Sequence, residues 1–227
     1  LKMISIPLTF LLSIILARIL GPSNYGSFVF ITTLMWALTL IVGPGNGQMI
    51  TREVSKYVHT ENWSLLAGIK NFSNGFIGLY SIVVVSAIAF YAYCYMELWI
   101  SYLWGALTIP LVGWTYAKAS ILRGLGSAVQ SQIPELIVKP GATIILAGCF
   151  WLYTDISSEM ALFAQAAACG LSLLLCHYFL IRAYPKQNDA TVPQYNNREW
   201  FSSLVPFSLI AAVGMLNNTI GVLILGT

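Results

Sequence analysis

Apolar runs with few or no Asp, Glu, Lys or Arg follow one another along the chain. They cover residues 3–17, 19–51, 71–96, 98–117, 136–154, 160–181 and 200–227, and of these only the fifth is interrupted by such a side chain, Lys139. A helix needs about 20 such residues to cross a bilayer. Strand-like alternation is absent, so helices rather than a barrel are expected to satisfy the backbone in lipid. The pattern predicts seven spans, the first and last truncated. Leu1 and Thr227 both fall inside apolar runs, so the chain is expected to be a piece of a longer protein. No signal-peptide pattern opens it.

The connections alternate in length. Residues 21–27, 96–97 and 154–159 predict short turns on one side. Pro22 suits a turn, and Asn24 and Gly26 tolerate unusual backbone angles. The other side carries longer loops. In 51–69, Val54, Tyr57, Val58, Leu65, Leu66 and Ile69 recur at roughly helical spacing between polar residues, which predicts an interfacial helix. Residues 182–198 contain two prolines and many polar residues, which read as a linker between two helical bundles.

Charge orients the spans. With the N-terminus inside, the inner loops hold Arg52, Lys56, Lys70, Lys118, Arg123, Arg182, Lys186 and Arg198, and the outer turns hold only Arg18. Lys2 and Lys139 lie near inner helix ends. Cytoplasmic loops collect Lys and Arg, so this orientation is the expected one. Tyr91, Tyr93, Tyr95, Trp99, Tyr102, Trp151 and Tyr153 then fall at outer ends as an interfacial belt. Trp36 stands apart, in mid-span.

Composition agrees. The 227 residues are 58% hydrophobic and 8% charged, against about 25% charged in soluble domains. The net charge of +3 is small and dispersed, which argues against nucleic acid as a partner. The four cysteines, Cys94, Cys149, Cys169 and Cys176, sit in apolar runs without a CxxC pair and read as apolar fillers. No cofactor or metal motif is present.

Few polar groups remain as candidates. Arg18 either snorkels to headgroups or supplies a cation to a cavity. Glu135 and Lys139 are four residues apart, the spacing of a helix ion pair, and Pro140 should kink the helix there. Lys139 could equally line a cavity, since ionisable residues in membranes usually face a bundle interior. Arg52 and Glu53 read as ordinary inner-loop charges or as a gate that grips phosphate. Arg123, beside Gly124 and Gly126, reads as a loop anchor. His59 is expected in solvent, and His177 buried and neutral. Gly43 and Gly47 have GxxxG spacing, which predicts close helix packing.

Three segments resemble a known family. "LARILGPSNYGSF" (16–28) is similar to the first outer turn of the polysaccharide flippases, exporters of O-antigen and lipid-linked oligosaccharides within the superfamily that also holds the MATE exporters. "GPGNGQMITREVSKY" (43–57) resembles that family's glycine-rich end of the second helix. "ILRGLGSAVQSQIPELIVKPG" (121–141) resembles its inner loop between helices four and five. The resemblance implies an all-α integral membrane fold of two six-helix lobes around a cavity. Here 1–181 would form the first lobe, 182–199 a cytoplasmic inter-lobe linker and 200–227 the truncated start of the second lobe. It implies a multi-pass protein of the bacterial cytoplasmic membrane that is not an enzyme. Such a protein would move a polyprenyl-pyrophosphate-linked oligosaccharide outward by alternating access, for surface polysaccharide synthesis. Its partners would be that substrate and the bilayer, with room for other polysaccharide assembly proteins. Arg18, Arg52, Arg123, Glu135 and Lys139 become candidate substrate-binding residues. The segment "MLNNTIGVLILGT" lacks the acidic residue that family members often carry late in the seventh helix.

The rivals are a cation-coupled multidrug exporter of the same fold, a membrane enzyme and a structural membrane protein. An exporter of that kind wants acidic residues in the first lobe's core, where only Glu135 comes close. A glycan polymerase would want a large outer loop, and an acyltransferase a placed histidine; neither is present in the pattern.

The charge bias predicts sidedness. In a cysteine-free background, single cysteines at Lys56, Arg123 and Lys186 should resist an impermeant thiol reagent added outside, and those at Tyr25, Glu97 and Asp155 should react. Labelling of position 123 from outside would invert the topology.

Overall fold

The computed structural model describes residues 1–96, 98–153, 157–184 and 192–225. The side chains of Tyr153 and of 215–225 lie outside the described residues, as do Glu97, Asp155 and Lys186. The described residues form helices α1 (Lys2–Thr39), α2 (Asn46–His59), α3 (Trp63–Tyr95), α4 (Trp99–Gly124), α5 (Ala128–Ile133), α6 (Lys139–Tyr153), α7 (Ser158–Ala183) and α8 (Asn197–Leu225). Two π-helical turns, Ile41–Gly45 and Pro134–Val138, join α1 to α2 and α5 to α6 without a break. Four segments are long and apolar enough to cross a membrane: Lys2–His59, Trp63–Tyr95, Ala128–Leu152 and Ser158–Ala183. The protein is an all-α membrane protein.

α1 is two helices rather than one. Gly21, at φ 70 and ψ 173, is its one non-helical residue. Glycine takes this left-handed φ without a Cβ penalty, and Pro22 restarts the helix with a φ already suited to a first turn. On one continuous helix Thr9 and Thr33 would stand about 36 Å apart, yet both line one cavity. The chain therefore reverses at Gly21, and the legs 2–20 and 22–39 lie side by side. The expected turn over 21–27 shrinks to this residue, and Asn24 and Gly26 are helical.

The interfacial helix expected over 51–69 is replaced by something else. α2 continues the second leg through a π turn, which absorbs Pro44, a residue with no N–H to donate to the helix. It runs to His59. Glu61, at φ 53, breaks the chain, and the Asn62 side chain caps α3 by accepting from the Leu65 N–H at 3.4 Å. Val54 and Tyr57 thus bury on α2, while Leu66 and Ile69 bury on α3.

α4 sits in the middle, packed against α1, α2, α3 and α7. Its Trp, Tyr, Ser and Gly content keeps it out of the four strongly apolar segments. Neighbouring helices rather than lipid cover it, and its small residues Gly105, Ala106, Gly113, Ala117 and Ser120 are buried there. The close packing expected at Gly43 and Gly47 is present. A Cβ on Gly43 would lie 3.6 Å from the Tyr116 ring, and one on Gly47 would lie 2.8 Å from Ser120 Oγ.

The first turns of α8 are bound to α2 and α3. Trp200 is fully buried, and its indole N–H donates to Tyr57 Oη at 2.9 Å. Phe72 packs on the Trp200 ring at 5.1 Å and on Phe201 at 5.0 Å. Lys56 pairs with Glu199 at 3.4 Å. Just ahead of α8, the Gln194 N–H donates to the Ser64 carbonyl at 3.0 Å.

This docking predicts a ranked pair of losses. Trp200→Phe keeps a ring but drops the N–H, and should cost about 0.5–1.5 kcal/mol. Trp200→Ala empties the site and should cost about 3–5 kcal/mol. Thermal unfolding of the membrane-embedded protein reads both, and equal losses would show that the ring is not what docks α8.

Candidate functional site

A cavity of about 480 Å³ opens between the two legs of α1, the Pro134–Val138 turn, α6 and α7. This is within the range of small-molecule sites. Its apolar wall is Leu12, Leu16, Phe28 and Val29, and its polar wall is Thr9, Ser13, Thr32, Thr143 and Gln165. The hydroxyls are back-bonded to their own helices. Thr9 donates to Ser5 O at 2.9 Å, Ser13 to Thr9 O at 3.0 Å, Thr32 to Phe28 O at 2.6 Å and Thr143 to Lys139 O at 2.8 Å. Each proton is thereby held, and each oxygen keeps lone pairs that can accept from a polyhydroxylated ligand.

Glu135 and Lys139 both line this cavity. They do not form the ion pair that their spacing suggested: among the described residues the ion pairs are Arg52–Glu53 and Lys56–Glu199. Neighbouring helices supply other partners. Tyr116 on α4 donates its hydroxyl to Glu135 Oε1 in a short hydrogen bond. Lys139 Nζ lies 5.8 Å from the Trp36 ring centroid, the geometry of a cation–π contact. Trp36 in turn packs on Tyr116 at 6.1 Å. Lys139 also lines two adjoining cavities, of about 230 and 10 Å³. Glu135 is not at a helix end. α5, the π turn and α6 form one helical course with Glu135 inside it, and the π turn accommodates Pro134 where a plain α-helix would break.

The other candidate residues lie elsewhere. Arg18 is exposed and lines none of the cavities described above. Leu16 and Leu20 bury on the opposite side of its helix. Arg52 donates to Glu53 Oε1 through Nε at 2.9 Å and Nη2 at 2.5 Å, and to Ser203 Oγ at 2.8 Å. Its guanidinium also lies 5.3 Å from the Phe207 ring centroid. Arg52 therefore ties α2 to α8, and half of its side chain remains exposed. Glu53 is buried, with Oε2 unpartnered. Arg123, half-buried at the end of α4, donates to Ser120 Oγ at 3.3 Å. His177 is exposed on α7 rather than buried, and His59 is exposed as expected.

Trp36, Tyr116 and Gln165 were not singled out as site residues from sequence. Their signal was faint. Trp36 and Tyr116 are amphipathic aromatics far from the interfacial belt, and Gln165 is an amide in an apolar run.

A family profile described as "Polysaccharide biosynthesis protein" matches residues 1–227, and the chain belongs to that family. No curated protein and no solved structure matches it.

The Tyr116–Glu135 contact has a measurable consequence. Tyr116→Phe leaves a half-buried carboxylate without its donor and should cost about 1–3 kcal/mol in thermal unfolding. Glu135→Gln added to that variant should recover part of the loss, because an amide is cheaper to leave there than a carboxylate. No recovery would mean that the Tyr116 hydroxyl acts through some other partner.

Proposed function

We propose that this polysaccharide biosynthesis protein is a flippase for a polyprenyl-pyrophosphate-linked oligosaccharide. The observation that carries the reading is the cavity centred on Lys139. A single ammonium faces a space in the membrane body, beside an indole ring and a wall of hydroxyl and amide acceptors. Sugars present donors to such a wall and apolar faces to aromatic rings. A pyrophosphate or an acidic sugar is attracted to the ammonium, which its Trp36 contact leaves able to exchange partners. The polyprenyl tail needs no protein site, since the bilayer dissolves it. Translocation requires only that the cavity open to each side in turn, so no covalent step and no cofactor enter this reading.

On this view the protein is a member of the wider exporter superfamily in the bacterial cytoplasmic membrane. It serves the synthesis of O-antigen or a related surface polysaccharide, alongside other assembly proteins. The segment 1–181 supplies one lobe, and α8 begins the other while staying fastened to α2. A cation-coupled drug exporter is the second reading. It gains from the position of Glu135 inside a helical course rather than at its end.

The test is surface glycan in cells making the full-length protein, normalised to its level in the membrane. Lys139→Gln should reduce export about tenfold or more, since a hydrogen bond to a charged group is worth roughly 1.5–3 kcal/mol. Arg18→Gln should export at close to the wild-type rate, because Arg18 faces away from the cavity. Unchanged glycan with Lys139→Gln, joined to lost drug resistance with Glu135→Gln, would replace the flippase reading with the exporter.

A further inference from the structure

The inner half of the bundle carries a second cationic feature on the face away from the cavity. Lys70 lies seven residues into α3 from its start, Lys118 six residues before the end of α4, and His177 six before the end of α7. At 1.5 Å per residue, each stands roughly 9–10.5 Å from the end of its helix. α4 packs on both α3 and α7, so the three residues share one layer. Lys118 follows Tyr116 by two residues, roughly 200° round α4, and so points away from the cavity that Tyr116 adjoins. Lys118 is partly buried and His177 exposed. Lys70 reaches toward the end of α7, with Nζ 4.5 Å from the Tyr184 ring centroid. Among the described residues, none of the three makes an ion pair with a carboxylate.

Like charges held in one layer of a membrane protein without an acidic partner repel one another unless an anion lies between them. At this depth the anion on hand is the phosphate of a phospholipid headgroup, and basic clusters between helices on the cytoplasmic side suit such groups. We propose that Lys70, Lys118 and His177 form a binding site for the headgroup phosphate of an anionic phospholipid in the leaflet at the inner helix ends. The lipid's acyl chains lie along α3, α4 and α7. This site is separate from the cavity and does not depend on the flippase reading.

The full-length protein, stripped of lipid and then given phosphatidylglycerol or phosphatidylcholine, tests this by native mass spectrometry and by thermal unfolding. The wild type should retain phosphatidylglycerol in preference and melt higher with it. Near a membrane surface each lysine contributes about one kcal/mol toward an anionic lipid. The double variant Lys70→Gln/Lys118→Gln should therefore bind phosphatidylglycerol roughly 30-fold more weakly. Lys70→Arg/Lys118→Arg should keep the binding, and Arg198→Gln, exposed elsewhere, should leave it unchanged. Equal retention of the two lipids by the wild type overturns the proposal, and so does wild-type phosphatidylglycerol binding by the glutamine pair. If the glutamine pair fails to fold, the comparison of lipids on the wild type and on the arginine pair still decides.

Discussion

Three glycines around one π turn set where everything else can go. Gly43 and Gly47 let α4 approach through Tyr116 and Ser120, and a Cβ on Gly45 would lie 2.5 Å from Ser208 Oγ on α8. Water does not drive helices together inside a bilayer, so association there depends on close van der Waals contact, which small residues allow. The π turn rotates the three glycines so that they serve two neighbours, α4 on one side and α8 on the other. With side chains at these positions α2 would stand off from α4. Tyr116 would then lose its place beside Trp36 and Glu135, and α8 its place against Arg52.

The apolar pattern located the membrane segments well because lipid demands long runs of apolar side chains. It did not show how those segments join. A reversal at Gly21 needs only one positive φ, so nothing in the residues after it has to look like a loop. The stretch 51–69 has helical spacing throughout, and the break at Glu61 and Asn62 leaves that spacing intact on both sides. The lack of charge in α4 reads as a span, although α4 is not among the four segments long and apolar enough to cross a membrane.

The candidate site was half legible. Glu135 and Lys139 stood out as charges near an apolar run, and the structure brings both to one cavity. Their partners could not be read, because four-residue spacing advertises a local pair while the contacts made come from residues 36 and 116. Arg18 and Lys139 looked alike in sequence, each a cation beside a span. What separates them is which side of the helix each occupies, and that depends on which neighbours cover it.

The fastening of α8 bears on how the chain is made. Trp200 and the Gln194 backbone fill places on α2 and α3 that the ribosome has left more than a hundred residues behind. Until they arrive, the Tyr57 hydroxyl, the Ser64 carbonyl and the aromatic face of Phe72 stand open at the end of the nascent bundle. The early helices can therefore enter the membrane in order, but they cannot finish packing in that order. Completion of the first six spans waits on the seventh, which makes assembly a late, non-local event in biosynthesis.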